Sequence, residues 1–167
     1  MQTLTLAQAI GFTPDDLAVN REGRLSEMQD YRLRVRRQRA ALSGVGLVFI
    51  GAFIASGFIF IGRQQSNGIL TLLGIGVTLC NAAITGVFAR YWLRLNADIR
   101  GGKVNAISGN LVRVVKPVTR RVVNMLIRID EVELLVSKDV FDAFEHEQRY
   151  TLYRTPYTGT LLSAERT

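Results

Sequence analysis

One cysteine and one histidine, Cys80 and His146, are all that the chain has of either residue. No disulfide can close within one chain, and no Cys/His zinc site can be assembled. A Cys–His nucleophilic pair would have to join Cys80, in the middle of an apolar segment, to His146, in the polar run Glu145-His146-Glu147. The plainer reading is a small apolar filler in a helix and a solvated surface residue. Charge is also missing where it matters most. Between Ala41 and Ala89 the only charged residue is Arg63. A soluble chain of 167 residues has no core large enough to hide two charge-free stretches of 22 residues, so the composition points away from a purely soluble globular protein. It also argues against a collagenous, disordered or disulfide-rich chain. The 48% of apolar residues is ordinary and conceals this segregation.

What is present is two membrane-length segments. Residues 41–62 and 68–89 each span about 33 Å as a helix, enough for a hydrocarbon core of roughly 30 Å. The linker Arg63-Gln-Gln-Ser-Asn67 is short and polar, which makes the two helices antiparallel neighbours. The expectation is a transmembrane hairpin over 41–95. The first segment is too long and too far into the chain for a cleavable signal peptide, and a second span follows it. Arg32, Arg34, Arg36, Arg37 and Arg39 precede the first span, and Arg90, Arg94, Arg100 and Lys103 follow the second. The positive-inside rule then puts both termini in the cytoplasm of a cell with the linker outside. Set hard against the spans, these arginines, and Arg32, Arg34, Arg36, Arg37, Arg39, Arg90 and Arg94 in particular, suit anionic phospholipid headgroups better than nucleic acid. Tyr91 and Trp92 stand where interfacial aromatics stand.

Small residues fall into stripes. Gly44, Gly51, Ala55 and Gly62 share one face of the first span. Gly74, Thr78, Asn81, Ala82 and Thr85, with Thr71 and Ala89, share one face of the second, opposite Leu73, Ile84 and Val87. Close helix packing explains both stripes, within the hairpin or against neighbouring subunits. A water path along Thr71, Thr78, Asn81 and Thr85 is the alternative. Such a path usually carries an ionisable residue at depth, and here there is none.

Residues 1–40 read as a cytosolic helical region. Thr13-Pro14-Asp15-Asp16 supplies an N-cap, a proline at the first helical position and first-turn acids. Gly23 breaks this helix. Ser26 with Gln29 forms a capping box that starts another, with no breaker before Ser43. That helix is expected to run on into the first span. Leu4 to Ile10 reads as a short amphipathic helix lying on the membrane or on a partner.

After Gly101-Gly102 the period changes to two. Residues 102–165 read as a small, partly closed antiparallel β-barrel, an α+β chain overall. Lys103–Ile107 and Asn110–Lys116 form an expected hairpin about Ser108-Gly109. Further strands are expected over 122–129, 132–136, 149–154 and 160–164, with a capped helix at Ser137–Phe144 turning Phe141 and Phe144 inward. Phe141, Phe144, Tyr150, Leu152 and Tyr153 supply the core. Arg113, Lys116, Arg120 and Arg121 make a basic cluster without the interleaved aromatics of a single-strand nucleic-acid site. It suits anionic lipid or an acidic partner. Asp130, Glu131 and Glu133, and the acids at 139, 142, 145 and 147, read as solvated faces. No catalytic constellation, phosphate loop or cofactor site is expected.

Phe12-Thr-Pro-Asp-Asp-Leu17, Asn20-Arg-Glu-Gly-Arg-Leu-Ser26 through Gln29, Tyr150-Thr-Leu-Tyr-Arg-Thr-Pro156 and Leu161-Leu-Ser-Ala-Glu165 accompany the central hairpin. Together they resemble uncharacterised small bacterial membrane proteins with two transmembrane helices and a cytosolic β-rich tail. The resemblance implies this architecture and carries over no catalytic residue. The expected role is a non-enzymatic scaffold or accessory subunit that packs against a membrane protein partner or its own copies, with a small homo-oligomeric channel as the alternative.

Overall fold

The computed structural model describes residues 5–119 and 122–167. Arg120 and Arg121 of the basic cluster, and Leu4 of the first expected helix, lie outside the described residues. The chain divides into two compact units. One is Arg32–Ile99, and the other joins everything described up to Tyr31 with Arg100–Thr167.

Local sequence starts each helix. Helix α1, Leu6–Ile10, begins at a Thr5–Gln8 capping box. Helix α2, Pro14–Arg21, begins at Thr13, whose hydroxyl accepts from the Asp16 N–H while the Asp16 carboxylate accepts from the Thr13 N–H. Helix α3, Glu27–Gln64, is one unbroken element of 38 residues. Ser26 and Gln29 cap it reciprocally, at 3.2 and 3.4 Å. Helix α4, Gly68–Gly101, has 34 residues and opens under the Asn67 side chain, which accepts from the Ile69 and Leu70 N–H groups. Both α3 and α4 are long and apolar enough to cross a membrane, and little of their apolar windows is buried.

The other unit is built on a five-stranded antiparallel sheet in the order β3-β2-β1-β4-β5. Its strands are β1 (Asn105–Thr119), β2 (Val122–Ile129), β3 (Val132–Leu135), β4 (Arg149–Arg154) and β5 (Leu161–Arg166), with helix α5 (Lys138–Ala143) between β3 and β4. Ser108 and Gly109 do not turn. They lie inside β1, whose first part pairs with β4 and whose second part pairs with β2. Gly109 is there because the sheet closes on it. A Cβ at this position would stand 2.7 Å from Cγ2 of Ile129. Nor is a barrel formed: among the described residues no ladder joins the end strands β3 and β5. Helices cover the sheet where a barrel would have covered itself.

On the inner face, Leu111, Ile127, Ile129, Leu134, Phe141, Phe144, Tyr150 and Leu152 form the main core. Helix α1 contributes Leu6, Ala9 and Ile10 to it, so this helix packs on its own chain's core. The outer face is covered only in part. Val104, Tyr153 and Leu162 pack there with Leu17 of α2 and Leu25. Consequently β4 and β5 are buried on both faces, whereas β2 and β3 are not.

Candidate functional site

Two seams concentrate the chain's small and polar residues. The first runs between α3 and α4 and is made by glycines. A Cβ on Gly51 would fall 2.6 Å from the Asn81 side chain, one on Gly62 2.6 Å from Thr71, and one on Gly74 2.6 Å from Ile59 and 3.0 Å from the Ala55 carbonyl. Ala55 is buried, and Gly44 faces the Phe88 ring. The two stripes therefore face each other. Asn81 donates from Nδ2 to the Val48 carbonyl at 3.1 Å across this seam. The Thr78 hydroxyl donates to the Gly74 carbonyl (2.9 Å) and the Thr85 hydroxyl to the Asn81 carbonyl (2.7 Å), both within α4. Thr78 and Ala82 lie off the α3–α4 contact and are exposed. The contact line passes through Gly74, Val77, Asn81 and Thr85, and Ala82 sits about 100° round the helix from Asn81. Midway along the pair an open apolar groove of about 430 Å³ is lined by Ala41, Gly44, Val48, Thr85, Phe88 and Trp92, among others.

Of the seven arginines expected to meet headgroups, Arg32, Arg34, Arg36, Arg39, Arg90 and Arg94 are exposed on α3 and α4. Arg36 also stands over the Tyr91 ring, 5.9 Å from its centroid. Arg37 differs. It is half-buried and donates to Asn96 Oδ1 at 2.8 Å, because it falls on the side of α3 that meets α4.

The second seam holds the N-terminal helices to β5. Asn20 and Ser163 are both fully buried, and Asn20 Nδ2 donates to Ser163 Oγ at 2.7 Å. The buried Gln29 amide donates to the Leu162 carbonyl, and the Ser26 hydroxyl donates to the buried Asp16 carboxylate. Segment 23–25 adds backbone pairing. The Val104 N–H donates to the Gly23 carbonyl (2.9 Å) and the Leu25 N–H to the Gly102 carbonyl (3.0 Å). Gly23 and Gly102 both have positive φ, 76° and 58°, which a side chain would strain. None of these pairings has a local signature in the sequence. The only available sign was that Asp16, Asn20 and Gln29 are polar residues in helices that otherwise need burial.

At the rim of this seam Arg21 forms an ion pair with Glu165, and the Tyr153 hydroxyl donates to Glu165 at 2.7 Å. The Arg21 hydrogen bond holds Glu165 below the ordinary carboxylate range, against the opposing effect of burial and with help from Tyr153. Burial, then the Glu165 hydrogen bond, pushes Tyr153 up. A carboxylate whose folded-state pKa is lowered stabilises the fold above its unfolded value and loses that contribution as pH falls through the lowered one. The sheet unit should therefore melt at falling temperature as pH drops below the ordinary glutamate range. Part of this acid sensitivity should be absent in Glu165→Gln, read as thermal unfolding against pH.

The acids expected to be solvated are so. Glu133 pairs with Lys116 at 2.6 Å and Asp142 with Arg113 at 3.3 Å, and each acid is at least partly exposed. Lys116 holds Glu133 below the ordinary carboxylate range. His146 is part of the scaffold at the surface, its Nδ1 accepting from the Arg113 N–H at 3.1 Å. Cys80 is exposed on α4. Among the described residues no three His, Cys, Asp or Glu side chains stand together as a metal site would need. No known family, curated protein or solved structure matches the chain.

Proposed function

We propose that this chain is a two-pass protein of a bacterial cytoplasmic membrane, acting without catalysis as a scaffold or accessory subunit. In this reading α3 and α4 pack against other membrane helices while the sheet unit docks a partner in the cytoplasm. The carrying observation is the Asn81–Val48 hydrogen bond with the glycine contacts around it. Asn81 and the glycines at 51, 62 and 74 are used inside the helix pair. The large side chains that face outward are aliphatic and aromatic: Phe49, Phe53, Leu72, Ile75, Leu79 and Val87 are all exposed. A hydrocarbon environment or other apolar helices suit such a surface, and the open groove midway along the pair gives a neighbouring helix a place to lie.

The channel alternative asks the Thr/Asn face to meet water. Asn81 is instead turned to the Val48 carbonyl, which favours packing. Native mass spectrometry of the detergent-solubilised chain tests the choice. A monomer, a dimer or a fixed-stoichiometry complex with a different membrane protein is the expected result. A ring of five or more identical chains that conducts ions in liposomes would overturn it.

Orientation is tested separately. Single cysteines at Ser66 and Thr167, both exposed, in a Cys80→Ser background should differ on intact cells. An impermeant thiol reagent is expected to label position 66 and spare 167, and the reverse pattern would place the termini outside.

A further inference from the structure

Glycines bring α3 and α4 into close contact along much of their seam, but not where the apolar groove lies. A Cβ on Gly51, Gly62 or Gly74 would stand 2.6 Å from the facing helix, whereas one on Gly44 would meet only the Phe88 ring, at 3.6 Å. Here a large ring holds the pair apart, and Ala40, Ala41 and Ala89 are too small to fill the space beside it. A polar contact marks each end of the groove. Asn81 donates to the Val48 carbonyl at one end (3.1 Å), and Arg37 donates to Asn96 at the other (2.8 Å). Residues 37 and 48 are about 16 Å apart along α3. Between them the Thr85 hydroxyl already donates within α4, so the walls offer an occupant little but apolar surface.

Arg37 sets the chemistry of its end. It lies one turn before Ala40 and Ala41 on the same side of α3, and Asn96 lies one turn after Trp92 on α4. Asn96 is a neutral amide, so this bond leaves the arginine charge uncompensated and uses one of five guanidinium N–H donors. The one acid of α4, Asp98, is buried and about 200° round the helix from Asn96. The acids of α3, Glu27 and Asp30, are about two turns or more from Arg37. An apolar slot that ends at a cation fits a molecule with a hydrocarbon chain and an anionic head, which the guanidinium binds through charge-assisted hydrogen bonds. A neighbouring apolar helix would fill the slot and leave Arg37 without a counterion.

We infer that the groove holds one acyl chain of an anionic phospholipid, with the lipid phosphate on the guanidinium of Arg37. The inference rests on the membrane reading above, and it sets Arg37 apart from the exposed arginines, which meet headgroups without an acyl-chain slot beside them. Its volume of about 430 Å³ lies within the range of small-molecule sites, roughly 300–1,000 Å³.

Trp92 is the chain's single tryptophan and lines the groove, so the unmodified protein carries its own probe. The full chain is reconstituted in phosphatidylcholine nanodiscs with a small fixed fraction of lipid brominated on its acyl chains, either phosphatidylglycerol or phosphatidylcholine. The expected result is that brominated phosphatidylglycerol quenches Trp92 about fivefold more effectively, the ratio that one cation gives at an anionic surface. Arg37→Gln should bring the two lipids to parity. Ala41→Phe, which fills the groove, should weaken quenching by phosphatidylglycerol, and Ala83→Phe at an exposed position of α4 should not. Arg94→Gln, about 200° round α4 from Asn96, should leave the preference intact. Equal quenching of the parent by the two lipids overturns the inference. So does an Arg94→Gln effect as large as that of Arg37→Gln, which would mean a diffuse attraction to the basic residues. Shielding of Trp92 from both lipids would make a protein helix the occupant and overturn it as well. A chain that enters no nanodisc defeats the membrane reading itself, a result distinguishable from these.

Discussion

Gly74→Leu is expected to separate the α3–α4 pair. A Cβ at position 74 would already lie 2.6 Å from Ile59 Cγ1 and 3.0 Å from two backbone atoms, the Ala55 oxygen and the Ile59 nitrogen. A flexible side chain can yield to such a clash, but backbone in a continuous helix cannot. A leucine adds three more carbons beyond that point, so the helices must move apart along the seam. Overpacking of this kind costs about 1–3 kcal/mol in ordinary cores and occasionally more. In lipid no hydrophobic drive returns the helices to contact. The Asn81–Val48 hydrogen bond would be lost with the approach that permits it. Leu73→Ala and Ala82→Leu should change little, since both positions are exposed on α4. Thermal unfolding in detergent, or the yield of a disulfide engineered across the seam, would read the difference. A Gly74→Leu protein that behaves like Leu73→Ala would remove the seam as a packing device.

Phe144→Ala should cost about 3–5 kcal/mol in the sheet unit. Phe144 is 1% exposed and meets Tyr150 edge-to-face with ring centroids 5.0 Å apart. Tyr150 is itself buried, and its hydroxyl accepts from the Glu145 N–H at 3.2 Å. Removing the ring opens a void that α5, a helix of only six residues, cannot close by shifting without losing its Ser137 cap. Two units of this size share a chain with no disulfide, so several kcal/mol is a large part of what either has. Limited proteolysis should show the sheet unit of the variant cut at protease concentrations that leave the parent intact. Unchanged resistance would mean the site collapses around the missing ring.

Local signals were read correctly wherever the deciding contact lies within a few residues. Thr13 with Asp16, Ser26 with Gln29 and Ser137 before α5 each cap a helix as their spacing requires. The period-two runs of β2, β4 and β5 are strands. Ser108-Gly109 failed for the converse reason. As a dipeptide it has the composition of a turn, but Gly109 answers to Ile129, twenty residues further on, which no local pattern displays. Within the small-residue stripe of α4 the contact with α3 runs through Gly74 and Asn81 and leaves Ala82 to one side, because two straight helices touch along a line narrower than the stripe.

Sequence alone determined the two long apolar helices, their short linker, the unbroken entry of α3 and the presence of a β-rich tail. These follow from charge segregation, length and periodicity, which are properties of adjacent residues. Tertiary structure decided the rest. It joined the N-terminal helices to the sheet through Asn20 and Ser163, 143 positions apart. It spread the strands into an open, helix-covered sheet, and it turned Asn81 toward Val48. Each of these is a choice among partners that burial makes available, and a polar side chain carries no mark of which distant group will satisfy it.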